Sequence, residues 1–491
     1  MADSATAPYD TFFVGGSWDA ASVGNVICSH RLPQLQIEPS MESSPAVATR
    51  TQGPNFVAQA WRRVRTSLFW MVTVALLLRV GWIVIGHTYK FKTTDDNFSF
   101  GWETGRIAAS LASGRGFSNP FGPATGPTAW EAPLYPYLAA GVFRIFGIYS
   151  QASAFVLLAL NSVFSVLTCI PIFLIARRIF SEKVAVGSAW AWALLPNVMF
   201  WCTRAIWETS LSALLLTTIF WLALTLEDRD GWLPWFRFGL LWGITALSST
   251  SLLSFLPAAG LWGWYRRAQG GKRSFTGIVL ASLVFFACIT PWQVRNYHTF
   301  GRFIFIRDNF GAELRLGNGN GADGTLMLYL DPPHDLYAMR QFESMGELAY
   351  IAMRKRQALD YIQADHARFA GLCVKRFLCF WASPPKPAQP AWLEPVKGSL
   401  FLAASVLMFW GLARALRQRK PGAWLFFWLV LLYPAVYYIV YAIPRYRVPI
   451  EPEIAILAVF LLTDVGKKTS DSPPDRSLER ESGSLSDRAL P

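Results

Sequence analysis

Five carboxylates and three guanidinium groups fall at the ends of apolar runs and not inside them: Asp95, Asp96, Glu103, Glu131 and Glu208, with Arg204, Arg445 and Arg447. Carboxylates beside fixed guanidinium groups at a membrane surface suit transfer of a group from a lipid phosphate. One acid takes a proton from an acceptor hydroxyl, while arginine holds the phosphate leaving group through paired hydrogen bonds. Taken singly, each of these residues also reads as an ordinary surface charge at a span end. Most of the acids sit in a block from Thr93 to Tyr149, too polar for lipid and too patterned for a spacer. Within it, Phe100 to Leu111 (FGWETGRIAASL) has helical spacing and predicts a helix lying on the membrane surface with Glu103 near its start. The alternative is a solvated loop with a stray amphipathic turn.

The elements that must position these residues are membrane helices. Of 491 residues, 53% are hydrophobic and 16% charged, with 22 Trp, so most of the surface must be buried in lipid. The fold class is all-α and polytopic. Apolar runs at 67–87, 152–176, 184–201, 209–226, 238–250, 252–264, 275–291, 399–415, 422–442 and 448–463 give about ten spans, although the pair meeting at Ser248–Ser251 also reads as one broken run. Six cysteines without ligand spacing indicate neither a disulfide framework nor a zinc site. The net charge of +13 is carried by short clusters at span ends, which are topology signals and not a nucleic-acid surface.

Those clusters set the orientation. Arg62, Arg63 and Arg65, then Arg177, Arg178 and Lys183, then Arg266, Arg267, Lys272 and Arg273, then Arg414, Arg417, Arg419 and Lys420, and finally Lys467 and Lys468, all fall on the cytoplasmic side if Pro133–Ile148 lies on the surface as a second amphipathic helix. Glu103, Glu131, Glu208, Arg445, Arg447 and the segment 292–398 then share the outer face. The chain divides into a cytoplasmic, disordered tail (1–62, with Met41 a second candidate start), a membrane core (63–291) with its first outer loop at 88–150, an outer segment (292–398), the last spans (399–465) and a second disordered tail (466–491). The first half of the outer segment is strand-like and turn-rich. Its second half, from about Met345 to Trp381, reads as one basic helix suited to anionic head groups, or as a plain lid. Arg79, about 12 Å inside the first span, must face protein or an aqueous cavity.

The order of residues resembles the bacterial membrane glycosyltransferases of the GT-C fold, the family 39-like group of protein O-mannosyltransferases and aminoarabinose transferases. The matching pieces are Asp95-Asp96, Leu111-Ala112-Ser113-Gly114, Glu131-Ala132-Pro133-Leu134-Tyr135, Arg177-Arg178-Ile179-Phe180, Arg204 followed by Glu208, and PRYRVPIEP at 444–452. The resemblance implies a sugar donor on a polyprenyl phosphate, inversion at the anomeric carbon and a catalytic carboxylate in the first outer loop. Two departures bear on the site. Ser99, not Asp96, stands where the family's acidic pair falls relative to Gly114, and Ala132 replaces the family's lysine after the second acid.

The expected function is therefore transfer of a hexose or pentose from a polyprenyl-phosphate donor to a lipid, glycan or protein acceptor at the outer face of the inner membrane. Glu103 is the favoured base, Asp96 the alternate, and Glu131 the third catalytic candidate. Arg445, Arg447 and Arg204 are the candidates for the donor phosphate, and Glu208 and Tyr135 for substrate binding. No cofactor is assigned. A divalent cation stays open, with Asp95, Asp96 and Glu208 as its only candidate ligands. The rival is a lipid or solute transporter in which the same charges line a path.

Overall fold

The structure, a computed structural model, describes residues 66–91, 98–123, 125–272, 275–327, 331–383 and 393–470. The first tail (1–62) and residues 471–491 of the second, and with them the expectation that they are disordered, lie outside these residues, as do Asp95 and Asp96; residues 466–470, expected in the second tail, continue the last helix. The described residues are helical and contain no strand. In chain order the helices are α1 Leu68–Ile85, α2 Glu103–Ala112, α3 Leu134–Phe146, α4 Gln151–Leu167, α5 Cys169–Ile179, α6 Glu182–Leu194, α7 Pro196–Arg204, α8 Thr209–Thr225, α9 Leu233–Ser248, α10 Leu256–Gln269 and α11 Thr276–Phe300. The outer segment adds α12 Phe310–Gly317, α13 Leu336–Met345, α14 Glu347–Ala364 and α15 His366–Ala382. Last come α16 Leu393–Arg417, α17 Ala423–Leu432, α18 Ala435–Ile439 and α19 Glu451–Ser470.

Among the described residues four helices are long and apolar enough to cross a membrane: Leu68–Ile85, Gln151–Ile179, Thr276–Phe300 and Val396–Arg417. A fifth is possible if α6 and α7, bent by 46°, form one span. The protein is thus a multi-pass helical membrane protein. Helices form at both places where surface helices were expected, as α2 and α3.

Several apolar runs hold two helices in place of one. Proline accounts for two breaks, because Pro196 and Pro434 lack the N–H that would continue the ladder. The run across Ser248–Ser251 breaks into α9, a 3-10 turn at Thr250–Phe255 and α10. The outer segment departs from its sequence reading twice. In its first half the alternation is real, with Ile304 and Ile306 buried and Phe303 and Phe305 exposed, but no strand pairs with it. The run packs on α11 instead, where Trp292 Nε1 and Asn296 Nδ2 both donate to the Ile306 carbonyl, at 2.8 and 3.0 Å. In its second half the expected single helix is two, because the Asp365 side chain accepts the Arg368 N–H and starts α15 afresh.

Carbonyls freed by these breaks are taken up by buried arginines. Arg79, fully buried, donates from Nη1 to Ala193 O at the α6–α7 bend (2.8 Å) and to Ala75 O (3.2 Å). It faces protein, as an intramembrane charge must when exposure to lipid costs about 3 kcal/mol. Arg376 of α15, also fully buried, donates to Ile439 O at the end of α18 (2.7 Å), to Gly317 O at the end of α12 and to Asn318 Oδ1 (3.1 Å). Gly317 permits this approach, since a Cβ there would lie 1.7 Å from Val440 O. Removing the guanidinium leaves at least two carbonyls unpaired at about 1–3 kcal/mol each. Arg376→Met should therefore lower the melting temperature of the detergent-solubilised protein by several degrees, while Lys375→Met, at the exposed neighbour, should leave it unchanged.

Candidate active site

The helix breaks and the outer segment enclose a cavity of about 730 Å³. Glu103, Glu131, Glu208 and Arg445 line it, together with Arg307, Glu313 and Asp331 from the outer segment. Aromatic planes surround them: Trp102, Trp130, Trp201 and Trp207 on one side and Tyr433, Tyr437, Tyr441 and Tyr446 on the other. The polar break at Ser249–Ser251 forms part of the wall.

Glu103 is placed by a tight turn. Gly101 sits at φ 85° and a Cβ there would lie 2.3 Å from Ile206 O, so only glycine lets residues 98–102 pass this close to the chain just before Glu208. The Ile206 N–H donates to Ser99 O (3.1 Å) and ties the two pieces together. Glu208 is the residue before α8 and caps nothing with its side chain. Glu131 follows a pinned run at Thr128–Trp130, with Oε2 at 3.6 Å from Arg307 Nη1. Glu313 accepts from Tyr441 Oη and from Asn309 Nδ2 (2.9 Å), and Tyr446 Oη donates to Tyr441 Oη (3.1 Å). The Arg445 guanidinium lies over the Trp207 ring, 4.5 Å from its centroid, and its buried Nη1 meets no hydrogen-bond partner among the described residues.

Three candidates from the sequence do not reach the cavity. Arg447 is 1% exposed and already engaged by Glu451 (Nε–Oε1, 2.9 Å), Ser405 Oγ (2.8 Å) and Phe401 O (3.1 Å). Arg204 closes α7 and leans on the Phe200 ring (5.9 Å). Tyr135 is buried behind the wall, donating to Asn161 Oδ1 (2.8 Å), while Asn161 Nδ2 donates to Ala205 O (3.3 Å). Conversely, Arg307, Glu313 and Asp331 carry no motif. Their only signal in the sequence is charge interrupting an otherwise apolar or turn-rich outer segment.

Burial pushes Glu131 up to about 7, against the pull of Arg307 and with the negative fields of Glu208 and Glu313 adding to the push. Burial, then Asp331 and Glu131, hold Glu103 well above the usual carboxylate range. Burial also raises Glu313, opposed by Arg307, and Asp331, opposed by His334 at 3.7 Å. Such groups are stronger bases than exposed carboxylates and change charge closer to neutral pH. Among the described residues no three His, Cys, Asp or Glu side chains come together as a metal-ligand set. Of the three expected metal ligands only Glu208 is described.

Residues 130–294 match the family of dolichyl-phosphate-mannose-protein mannosyltransferases. These residues form a glycosyltransferase region of the GT-C type. No curated protein matches the chain significantly by sequence. Solved structures with a similar course include the oligosaccharyltransferase AglB of Archaeoglobus fulgidus in complex with an inhibitory peptide and a dolichol-phosphate, at 14% identity and TM-score 0.49 over 89% of this chain and 53% of that one. Another is ArnT of Cupriavidus metallidurans bound to undecaprenyl phosphate, at 14% identity and TM-score 0.36 over 84% of this chain and 79% of that one. The chain spans about half the length of the oligosaccharyltransferase, and at these scores neither structure bears on individual residues of the site. The glycosyltransferase region itself contains Glu131, Glu208 and Arg295, whereas Glu103, Arg307 and Arg445 lie outside the matched residues.

Because Arg307, more than Arg445, opposes burial at Glu131, Arg307→Gln should move the Glu131 titration above about 7. Infrared difference spectra across neutral pH would follow the carboxyl band, which Glu131→Gln identifies by its loss. A band titrating in the ordinary carboxylate range in the unsubstituted protein would contradict this account of the site.

Proposed function

We propose that the cavity transfers a sugar from a polyprenyl-phosphate donor to a hydroxyl acceptor, with inversion at the anomeric carbon. The observation that carries this reading is one cavity holding an arginine with a buried, unpartnered Nη1, Arg445, beside desolvated carboxylates, Glu103 and Glu131. Arg445 and Arg307 bind the donor phosphate. Glu103 takes the proton of the acceptor hydroxyl as the acceptor oxygen bonds to the anomeric carbon, with Asp96 the alternate base. The bond from that carbon to the phosphate oxygen breaks, and polyprenyl phosphate leaves with its charge held by the two guanidinium groups. Glu131 and Glu208 accept hydrogen bonds from the sugar, and the tryptophan planes pack on it. Any divalent cation would draw on Asp95, Asp96 and Glu208.

The ten-span topology, with the cavity on the non-cytoplasmic side of the inner membrane, is part of the same proposal. It draws support from where the basic clusters gather. Arg178 pairs with Glu227 (2.9 Å) and Asp228 (2.5 Å), Arg266 with Glu227 (2.6 Å), Arg267 with Asp230 (3.2 Å) and Arg414 with Asp464. Phe180 stacks on Phe460 beside them. This end lies a full helix from the cavity, since α8 starts next to Glu208 and ends next to Glu227, about 25 Å away at 1.5 Å per residue. The acceptor is a membrane lipid, an envelope glycan or a protein.

Two experiments test the proposal. In a cysteine-free background, cysteines at the exposed positions Arg115 and Asp323 should react with an impermeant thiol reagent in intact cells, and one at Gln269 should not. In a transfer assay with labelled polyprenyl-phosphate sugars, Glu103→Gln should lower turnover about a hundred- to ten-thousand-fold while leaving donor binding intact. Arg445→Lys should chiefly weaken donor use, since lysine lacks the planar fork. A few-fold effect of both Glu103→Gln and Asp96→Asn would end this mechanism and favour a transporter.

A further inference from the structure

Glu347 opens α14 and is 5% exposed, yet it does not line the cavity. A carboxylate buried this deeply is tolerated only when hydrogen-bonded. Both of its oxygens are engaged by the run that leads into Glu131: Oε2 accepts from Thr128 Oγ1, and Oε1 accepts from the Ala129 N–H at 2.6 Å. The remaining polar backbone groups of Thr128 and Ala129 are held as well. The Thr128 N–H donates to Phe117 O (3.2 Å), Arg295 Nη1 donates to Thr128 O (2.7 Å), and the Asp308 N–H donates to Ala129 O (3.0 Å). The Trp130 N–H turns back onto Thr128 Oγ1 (2.9 Å), and its ring packs on Phe121, with centroids 4.8 Å apart. Thr128 and Ala129 are fully buried, and the next free side chain is that of Glu131.

The arrangement fixes both members of one pair. Asp308, which holds Ala129, directly follows Arg307, and Glu347 holds the same two residues from the other side. Glu131 and Arg307 thus leave a common hydrogen-bonded junction. We infer that Glu347 is a positioning residue of the active site, whose carboxylate sets the course of Thr128–Trp130 and thereby the meeting of Glu131 with Arg307. This rests on the proposed transferase reading for its kinetic consequence, but not for its spectroscopic one.

Glutamine at this position retains one acceptor and must turn its amide N–H toward Thr128 Oγ1, whose hydroxyl oxygen can accept it. Leucine leaves the Ala129 N–H and the Thr128 O–H buried without an acceptor. Glu347→Leu should therefore lower kcat by about a hundredfold, the loss expected from misplacing a reacting group by about 1 Å, with the donor KM within about twofold of the unsubstituted value. Glu347→Gln should recover most of that loss. In Glu347→Leu the Glu131 carboxyl band should titrate higher, as it does when Arg307 is replaced, because a displaced Glu131 loses the guanidinium that opposes its burial, and the acid limb of the pH–rate profile should move with it. If Glu347 only stabilises the fold, activity will fall in proportion to the folded fraction while band and limb stay where they are, and the inference is wrong. If Glu347→Leu does not fold, Thr128→Val decides: it removes the hydroxyl that Glu347 and the Trp130 N–H share while keeping the side chain's shape, and it must still displace the Glu131 band. Should the unsubstituted protein transfer no sugar, the proposed function fails, and the infrared titration still answers for Glu347.

Discussion

Backbone carbonyls released inside a membrane protein have no water to turn to, and meeting that demand organises this structure. A cavity lined by carboxylates and guanidinium groups needs irregular backbone to present them. The bundle supplies it by breaking helices at Leu195–Pro196, Ser249–Phe255 and Pro434, and each break creates unpaired carbonyls. Long, planar arginine side chains, with several donors apiece, take up such carbonyls: Arg79 at Ala193 of the first break and Arg376 at Ile439 after the last, while Arg376 at Gly317 and Arg295 at Phe117 and Thr128 do the same for irregular backbone elsewhere. Many of the buried basic residues are therefore engaged with backbone, and few remain free to meet a substrate.

That constraint separates Arg445 from Arg447. The two lie in one 3-10 turn, Pro444–Ile450, where residues two apart point in different directions at three residues per turn. Arg445 faces the cavity across Trp207, whereas Arg447 turns inward to Glu451, Ser405 and Phe401. Charge balance in the cavity then falls to Arg445 and Arg307 against Glu103, Glu131, Glu208, Glu313 and Asp331. With fewer cations than carboxylates in a desolvated space, Glu103, Glu131, Glu313 and Asp331 are held toward their neutral forms.

The outer segment is not a lid laid over a finished site. It contributes Arg307, Glu313 and Asp331 to the cavity wall and fixes the run before Glu131 through Asp308 and Glu347. Its aromatic contact with the first loop, Phe121 and Trp130 against Phe342, joins two parts of the chain more than two hundred residues apart. Three of the seven charged groups named at the site, Arg307, Glu313 and Asp331, therefore come from a stretch beyond the matched residues 130–294.

What the sequence determined by itself follows from local periodicity and composition. The apolar runs marked helices, four or five of them long and apolar enough to cross a membrane, FGWETGRIAASL marked α2 with Glu103 in its first turn, and PLYPYLAAGVFRIF marked α3, because one turn of helix or one apolar run is decided by residues close in sequence. Glu131 and Glu208 were recognisable as acids beside Pro-Leu-Tyr and at the opening of a span. The partners of those residues were not. That Arg307 meets Glu131, that Glu347 is consumed by Thr128 and Ala129, and that Tyr135 and Arg447 turn away from the cavity depend on contacts across long stretches of chain. The alternation at Phe303–Ile306 was visible too, but whether it paired with a strand or packed on α11 depended on which surface stood opposite. Only tertiary structure decides this, because a buried polar group takes whichever partner the packing of distant helices brings within hydrogen-bond reach.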